Sequence, residues 1–307
     1  MAAKTTLKVG SKKVEVSSLD KVFYPATGFT KGEVIDYYVN IGSVMLPHLK
    51  GRPVTLKRYP DGVEGSFFYE KQCPSHAPDW IHTTDVAKEN GEIIHYCVID
   101  SMPALVWAAN IANLEFHSFL HRGRALHRPT SLVFDLDPGE GTDIIQCCQV
   151  GLWIKDLFEA MDLQSFPKTS GSKGLQITVP LNSATTYDKT KPFAHAVAKA
   201  LEQRFPEAVV EKMEKKLRKG RVLIDWSQND DHKTTVCAYS LRAKTQPSIS
   251  TPVTWDEVAS AHKRKKASAL TFDPATVLKR VEKHGDLLEP ALKLRQKLPA
   301  LSAVDEV

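Results

Sequence analysis

The sequence predicts a mixed α/β (α+β) protein of two lobes, and three observations carry that expectation. From residue 131 onward, short apolar runs alternate with stretches of helical periodicity: SLVFDLD, IIQCCQVGLWIKDLFEAM, TSGSKGLQITVPL, KPFAHAVAKALEQRF and RVLIDW. Alternation of this kind layers helices on a sheet. Before residue 131, a helical stretch (KGEVIDYYVNIGSVMLPHLKG) is followed by the strand-like runs RPVTLKRYP, GSFFYEK and EIIHYCVID, which implies a differently built first lobe. After residue 250, TWDEVASAHKRKKAS and DPATVLKRVEKHGDLLEPALKLRQ have the one-sided apolar spacing of surface helices.

The remaining elements follow the same logic. MPALVWAANIANLEF is apolar enough, and long enough, to be predicted as a second helix of the first lobe, and TTVCAYSLR reads as a strand. No repeat and no low-complexity linker divides the chain. One domain is therefore expected over residues 1–307, with an N-terminal lobe to about 130, a catalytic lobe from about 131 to 250 and C-terminal helices from about 251 to 307.

Composition narrows the class. A chain of 307 residues with 42% hydrophobic and 25% charged content is that of a soluble globular protein, which excludes disordered and collagen-like classes. Nowhere do eighteen apolar residues run together, and the N-terminus MAAKTTLKVGSKKVEV lacks an apolar core with a cleavage site. No membrane association and a cytoplasmic location are expected. The five cysteines are odd in number and contain no C-x-x-C pair, so they are expected to be buried thiols rather than a disulfide framework or a zinc site. Net charge is +5, and the basic residues cluster in LKGRPVTLKRYP, HRGRALHRP, EKMEKKLRKGR and HKRKKAS, a distribution suited to a polyanionic partner.

The chemistry begins at SLVFDLDPGEG. Side chains alternate along a strand, so Leu132, Phe134 and Leu136 pack inward while Asp135 and Asp137 share the other face, ~7 Å apart at a rise of about 3.3 Å per residue. Two carboxylates so placed repel, and a divalent cation with hard-oxygen preference, magnesium or manganese, relieves the repulsion. A D-x-D pair also occurs in haloacid-dehalogenase-type phosphatases and sugar-nucleotide transferases, but the phosphatase pattern would put Thr or Val where this chain has Gly139. RVLIDWSQND delivers a further acid, Asp225, at the end of a second apolar strand. Three acids on neighbouring strand ends are what a two-metal phosphoryl-transfer site needs. Asp100 ends a run of the same form, but the Ser101-Met102-Pro103 that follows reads as a helix start.

Between these acids lies KTSGSKGL, in which Ser170, Gly171, Ser172, Lys173 and Gly174 form a small-residue turn suited to cradling phosphate, without the Walker A spacing. His117 and His121 are four apart, but no third ligand lies near them in sequence, so zinc is not expected. Cys147-Cys148 lies within an apolar helix and reads as core.

Taken together and in order, SLVFDLDPGEG, TSGSKGL, DWSQN and KTTVCAYSLRAKTQPSISTPVTWDEV resemble the polymerase domain of bacterial DNA ligase D, within the archaeo-eukaryotic primase superfamily. LDKVFYPATGFTKGEVIDYY, GRPVTLKRYPDGVEGSFFYEK and LEFH match as well, so the resemblance covers about residues 15 to 290. It implies a two-lobed primase-polymerase fold of mixed sheets flanked by helices, whose catalytic lobe has a core like that of RNA-recognition motifs. It also implies template-directed extension of 3′ DNA ends and filling of gaps in non-homologous end joining, with NTP or dNTP substrates. Ribonucleotides would be preferred, and two Mn2+ or Mg2+ ions would serve as cofactors.

Carried over by resemblance, Asp135, Asp137 and Asp225 bind the metals and are catalytic. Ser170, Ser172, Lys173 and Gly174 match the triphosphate motif, and His117, Gln228, Lys233 and Arg242 match further nucleotide contacts. Lys21 and Lys31 match the lysines that grip a downstream 5′ phosphate, where the family's frequent asparagine is Ser18 here; Phe67 and Phe68 match aromatic residues that stack on the template. Gln176 stands where the family motif S-G-x-K-G-x-H has histidine, and glutamine brings no positive charge to the triphosphate.

The implied partners are gapped or overhanging DNA with a 5′ phosphate, an end-joining ligase and a Ku-type end-binding protein, in a bacterial, nucleoid-associated cytoplasm. No K-x-D-G adenylation motif occurs, so a polymerase module with a separate ligase activity is expected. Two alternatives share the same residues: a non-catalytic module that binds 5′-phosphorylated ends, and a free-standing primase.

Overall fold

The computed structural model describes residues 4–88 and 90–304. In chain order, β1 (Lys4–Val9) and β2 (Lys12–Ser17) form a hairpin, and β3 (Val22–Tyr24) and β4 (Phe29–Thr30) form another that runs into α1 (Lys31–Leu49). Then come β5 (Pro53–Arg58), β6 (Phe68–Glu70), β7 (His82–Ala87), β8 (Ile93–Val98), α2 (Met102–Asn110) and β9 (Asn113–Phe119). The next stretch holds β10 (Ser131–Pro138), α3 (Ile144–Ala160), β11 (Phe166–Thr169), β12 (Leu175–Pro180), α4 (Tyr187–Arg204), β13 (Val209–Val210) and β14 (Val222–Asp225). Last are β15 (Thr234–Val236), β16 (Leu241–Arg242), β17 (Ser248–Ile249), α5 (Trp255–Arg264), α6 (Pro274–His284) and α7 (Glu289–Lys293).

Local chemistry sets the helix ends. Capping boxes open α1 (Thr30 with Glu33), α3 (Asp143 with Gln146) and α5 (Thr254 with Glu257), each satisfying two backbone donors that the first turn leaves open. At Gly285, with φ +68°, the predicted tail helix breaks into α6 and α7.

The helix predicted over MPALVWAANIANLEF ends at Asn110, and NLEFHSF is strand β9. The chain reverses through Ala112, whose φ is +66°, and β9 then lies between β5 and β15. Six of its seven residues are buried. A strand covered on both faces shows no alternation, so its apolar run resembles a helix in sequence. TTVCAYSLR likewise divides into β15 and β16 around Tyr239, which has φ +68°.

The chain forms two compact units. The first draws on residues up to Arg124, Thr234–Ser250 and Asp273–Gly285; the second on Ala125–Lys233, Thr251–Phe272 and the residues from Asp286 on. Residues 234–250, expected with the catalytic lobe, pack in the first unit because β15 extends its sheet beside β9.

In the first unit the sheet order is β15-β9-β5-β8-β7, with β6 also paired to β5. Helix α1 buries Val34, Ile35, Tyr38, Ile41, Met45 and Leu49, at helical spacing.

In the second unit the sheet order is β11-β12-β10-β14-β13. Its main strands and helices run β10-α3-β11-β12-α4-β14, a β-α-β-β-α-β succession with the first strand in the centre, as in RNA-recognition motifs. Leu132, Phe134 and Leu136 are fully buried. Gly151 of α3 packs so closely on this face that an added Cβ would lie 2.9 Å from Leu175 and 3.7 Å from Leu136. Truncating Leu136 would therefore cost about 2–5 kcal/mol. The helices take this side of the sheet, and Asp135 and Asp137 lie on the other.

Candidate active site

The acids come together through strand register. Asp135 of β10 is paired directly with Asp225 of β14 in antiparallel register, and Asp137 lies two residues farther along β10 on the same face. On the other side of β10, Asp135 is paired with Gln176 of β12, and Gln176 in turn with Lys168 of β11. Lys168, Gln176, Asp135 and Asp225 thus make one row across four strands. Lys168 and Gln176 are buried; neither Lys168 nor this row is readable from spacing within one segment.

Asp225 is held by its own turn. The Ser227 hydroxyl and main-chain N–H donate to Asp225 Oδ1 at 2.6 and 3.0 Å, and Gln228 Nε2 donates to Oδ2 at 2.8 Å. Lys233 Nζ donates to the Ser227 hydroxyl at 3.1 Å, which links a positive charge to the same acid. Gln228, expected to contact nucleotide, donates to Asp225. Asn229 closes the turn onto β10, its side chain pairing with the main chain of Val133 at 2.9 and 2.7 Å. Behind Asp225, Trp226 stacks on His195 at 3.8 Å, and both rings bond Glu211.

The donor set suits a hard divalent cation: three carboxylates on one face of two adjacent strands, with no sulfur among them. Among the described residues no group of three or more His, Cys, Asp or Glu side chains is placed so that it could hold a metal ion. The Asp225 carboxylate is engaged by Ser227 and Gln228. At the backbone level Asp135 and Asp225 are in direct register, with Asp137 two residues along β10.

The glycine-rich turn abuts these acids. An added Cβ on Gly174 would fall 2.1 Å from the Leu136 carbonyl oxygen and 3.7 Å from Asp137 Oδ1, so only glycine permits this approach. Within the turn, Ser170 Oγ accepts the N–H groups of Ser172 and Gly174 at 3.2 and 3.1 Å. Those amides shape the turn rather than standing open to an anion, and the buried Ser170 acts as its brace. Ser172 and Lys173 are exposed and carry the donors the turn presents.

In the first unit a buried carboxylate organises the basic residues. Glu115, 1% exposed, accepts from His117 Nε2 at 2.9 Å and from the Ala243 N–H at 3.0 Å, and pairs with Arg242 at 3.2 Å and Lys57 at 3.6 Å. Burial opposes its ionisation, but the His117 hydrogen bond and the charges of Arg242, His117 and Lys57 win and hold its carboxyl well below the usual range. His117 is shifted down, chiefly by burial and further by Arg242 and Lys57, against the pull of Glu115.

Three buried tyrosines fix the segment that carries Arg242. Tyr24 donates to the Arg242 carbonyl at 3.0 Å, Tyr37 to that of Tyr239 at 2.8 Å, and Tyr38 accepts from the Leu241 N–H at 3.0 Å. Glu115 and Lys57 had not been singled out. Their signal is the E in LEFH and the K in TLKRYP, interpretable only once β5 and β9 are known to pair.

Phe67 and Phe68 are both exposed, at 51% and 43%, and Tyr69 beside them at 54%. Phe67 stacks on Tyr59 at 5.3 Å, Lys57 Nζ lies 4.4 Å above the Phe67 ring, and Arg58 lies over Phe68 at 5.1 Å. Tyr69 meets the His117 ring edge-on at 6.1 Å. The result is an open aromatic platform backed by cations, larger than the pair read from sequence.

Lys21 and Lys31 are brought together by the β3–β4 hairpin, in which the Lys31 N–H donates to the Lys21 carbonyl at 2.8 Å. Lys31 is buried and donates to the Ser17 carbonyl at 2.6 Å. Burial first, and then the neighbouring Lys21 charge, lowers its pKa to about 8. Lys21 is exposed and pairs with Asp61 at 2.8 Å. Ser18 holds φ +54°, a conformation asparagine adopts more readily than serine.

No helix among the described residues is long and apolar enough to cross a membrane. Residues 30–288 match the family model of the LigD primase-polymerase domain. The multifunctional non-homologous end joining protein LigD of Mycolicibacterium smegmatis is 43% identical over 281 residues, covering 91% of this chain and 36% of that protein. The bifunctional protein LigD of Bacillus subtilis is 32% identical over 275 residues, covering 89% of this chain and 43% of the relative. This chain therefore spans well under half the length of these relatives. Among solved structures, the polymerase domain of Mycobacterium tuberculosis ligase D in complex with DNA aligns with a TM-score of 0.84 at 39% identity, covering 92% of this chain and 98% of that one. With the acids in register, the central-strand topology and these likenesses in agreement, the chain belongs to the LigD primase-polymerase domain family.

Proposed function

We propose that this protein adds nucleotides, ribonucleotides by preference, to the 3′ end of gapped or overhanging DNA under template direction, in bacterial end joining by a two-metal mechanism. The observation that carries the reading is the register of Asp135 with Asp225, with Asp137 on the same face. The likeness to a polymerase domain in complex with DNA supports DNA as the partner. An end-joining ligase and a Ku-type protein are the proposed further partners, in a nucleoid-associated cytoplasmic setting.

Asp135, Asp137 and Asp225 would hold two divalent ions. Bound there, the ions would supply the charge that lowers the pKa of the attacking 3′ hydroxyl and stabilises the leaving pyrophosphate. Ser172 and Lys173 donate to the triphosphate from a turn fixed by Ser170 and Gly174. Gln228 and Lys233, on the turn that holds Asp225, are proposed nucleotide contacts.

His117 and Arg242 donate to the incoming nucleotide from a frame fixed by Glu115 and the three tyrosines. Phe67 and Phe68, extended by Tyr69, stack against the template, which suits any base. Lys21 and Lys31 bind the downstream 5′ phosphate. Most of the rate enhancement is then positioning and charge stabilisation.

A primer-extension assay on a 5′-phosphorylated gap, with manganese and ribonucleotides, tests this reading. Extension supports it. Binding of the gap without extension would favour a non-catalytic end-binding module, for which Gln176 in place of histidine is the motivating residue; synthesis on unprimed template would favour a primase.

A further inference from the structure

Cysteine spacing gave no reason to expect a thiol pair, but the fold makes one. Cys73, partly exposed, and Cys97, buried, are free thiols whose sulfurs lie 2.7 Å apart, with Cys97 donating to Cys73. Cys97 lies on β8, opposite Val54 of β5 and Thr83 of β7. Cys73 follows β6, and its N–H donates to the His95 carbonyl at 2.7 Å, while the His95 N–H donates to the Gln72 side chain at 3.1 Å. The segment bearing Cys73 is thus pinned to β8 by two hydrogen bonds, one to the main chain and one from it. The two sulfurs can bond without the backbone being remade.

The two thiols are also unlike. The hydrogen bond from Cys97 lowers the pKa of Cys73, whereas that same bond and burial push Cys97 up. Cys73 combines access with thiolate character, the two properties that mark the attacking member of a redox pair. Cys147, Cys148 and Cys237 are free and buried.

We infer that Cys73 and Cys97 are a peroxide-oxidisable dithiol that closes reversibly into a disulfide. The Cys73 sulfur attacks one oxygen of hydrogen peroxide, the O–O bond breaks, and the departing hydroxide leaves as water with the thiol proton, giving a sulfenic acid on Cys73. The Cys97 sulfur then attacks the Cys73 sulfur, the S–O bond breaks, and the hydroxyl leaves as water with the Cys97 proton. In sum two thiols are oxidised to one disulfide and one peroxide is reduced to two waters. The new bond staples the end of β6, the strand that carries Phe68, to β8. It also shortens the unfolded chain's reach between residues 73 and 97, which stabilises the fold. This inference does not depend on the polymerase reading.

The test treats the full chain with hydrogen peroxide, counts free thiols and maps linked peptides by mass spectrometry without reduction. Two of the five thiols should disappear, with a linked pair of peptides containing Cys73 and Cys97, a melting temperature raised by a few degrees and full reversal by dithiothreitol. Cys97→Ser should abolish the link and leave a Cys73 sulfenic acid that dimedone traps. Retention of all thiols at peroxide levels that oxidise a small dithiol, or a link between any other pair, would overturn the inference. The wild-type peptide map decides the matter even if Cys97→Ser folds poorly.

Discussion

Asp135 on β10 faces Asp225 on β14 in direct antiparallel register, so two acids 90 positions apart in sequence occupy one cross-strand pair. Like charges opposed in this way are destabilising until a cation joins them. In metal-free buffer Asp225→Asn is expected to raise the melting temperature slightly. Added manganese should stabilise wild type and have little effect on the variant, a difference that thermal denaturation measures directly. Equal manganese stabilisation in both proteins would place the metal elsewhere.

Gln176 stands beside Asp135 in the same row, where the family motif has histidine. Gln176→His is expected to lower the nucleotide KM by ~5-fold, the difference of about 1 kcal/mol between a neutral and a charge-assisted hydrogen bond. Steady-state kinetics at fixed DNA would show it. An unchanged KM would mean that Gln176 does not meet the triphosphate.

Glu115 pairs with Lys57, His117 and Arg242 from a buried position. Glu115→Gln should destabilise the fold by about 3 kcal/mol, because it leaves buried charge uncompensated. The folded pKa of Glu115 lies below its unfolded value, so its contribution is complete above about pH 4.3 and is lost as pH falls through the folded value. Chemical denaturation of both proteins from pH 7 to pH 3 should therefore show a stability gap that is constant near neutrality and narrows only in acid.

The lysine pair makes 5′-phosphate recognition sensitive to pH. With the Lys31 pKa lowered to about 8, the affinity gained from a 5′ phosphate should decline between pH 7 and 9, whereas Lys31→Arg should flatten that profile. Asp61→Asn frees Lys21 from an exposed ion pair, and should strengthen binding of 5′-phosphorylated gaps by no more than ~1 kcal/mol. Fluorescence anisotropy with phosphorylated and unphosphorylated DNA measures both effects.

Phe67→Ala should weaken template binding by about 1–3 kcal/mol, the usual worth of one base stacked on an aromatic ring. Tyr69→Ala should weaken it as well, through loss of the ring that meets Phe67 and His117. Titration of single-stranded template against each variant provides the comparison.

The acids were legible because strand alternation is local: Leu132, Phe134 and Leu136 on one face oblige Asp135 and Asp137 onto the other. Their association with Asp225 was expected because the apolar run RVLIDW also ends in an acid, but the register that pairs them is not written in either segment. For the same reason Glu115, Lys57 and Lys168 escaped notice, although each takes its place by lying opposite a residue on another strand. NLEFHSF was misread as helix because a strand buried on both faces loses its alternation. Residues 170–174 were read as a turn, but the inward hydrogen bonds of Ser170 could not be inferred from a run of small residues.

The central claim is that the three acids drive nucleotide addition. Its most direct measurement is single-nucleotide extension of a gapped, 5′-phosphorylated DNA with manganese, comparing wild type with Asp135→Ala and Asp225→Asn, while anisotropy follows DNA binding. The wild type should extend the primer and each variant should lose about a thousandfold in rate with DNA affinity unchanged. Extension by either variant at the wild-type rate would contradict the account.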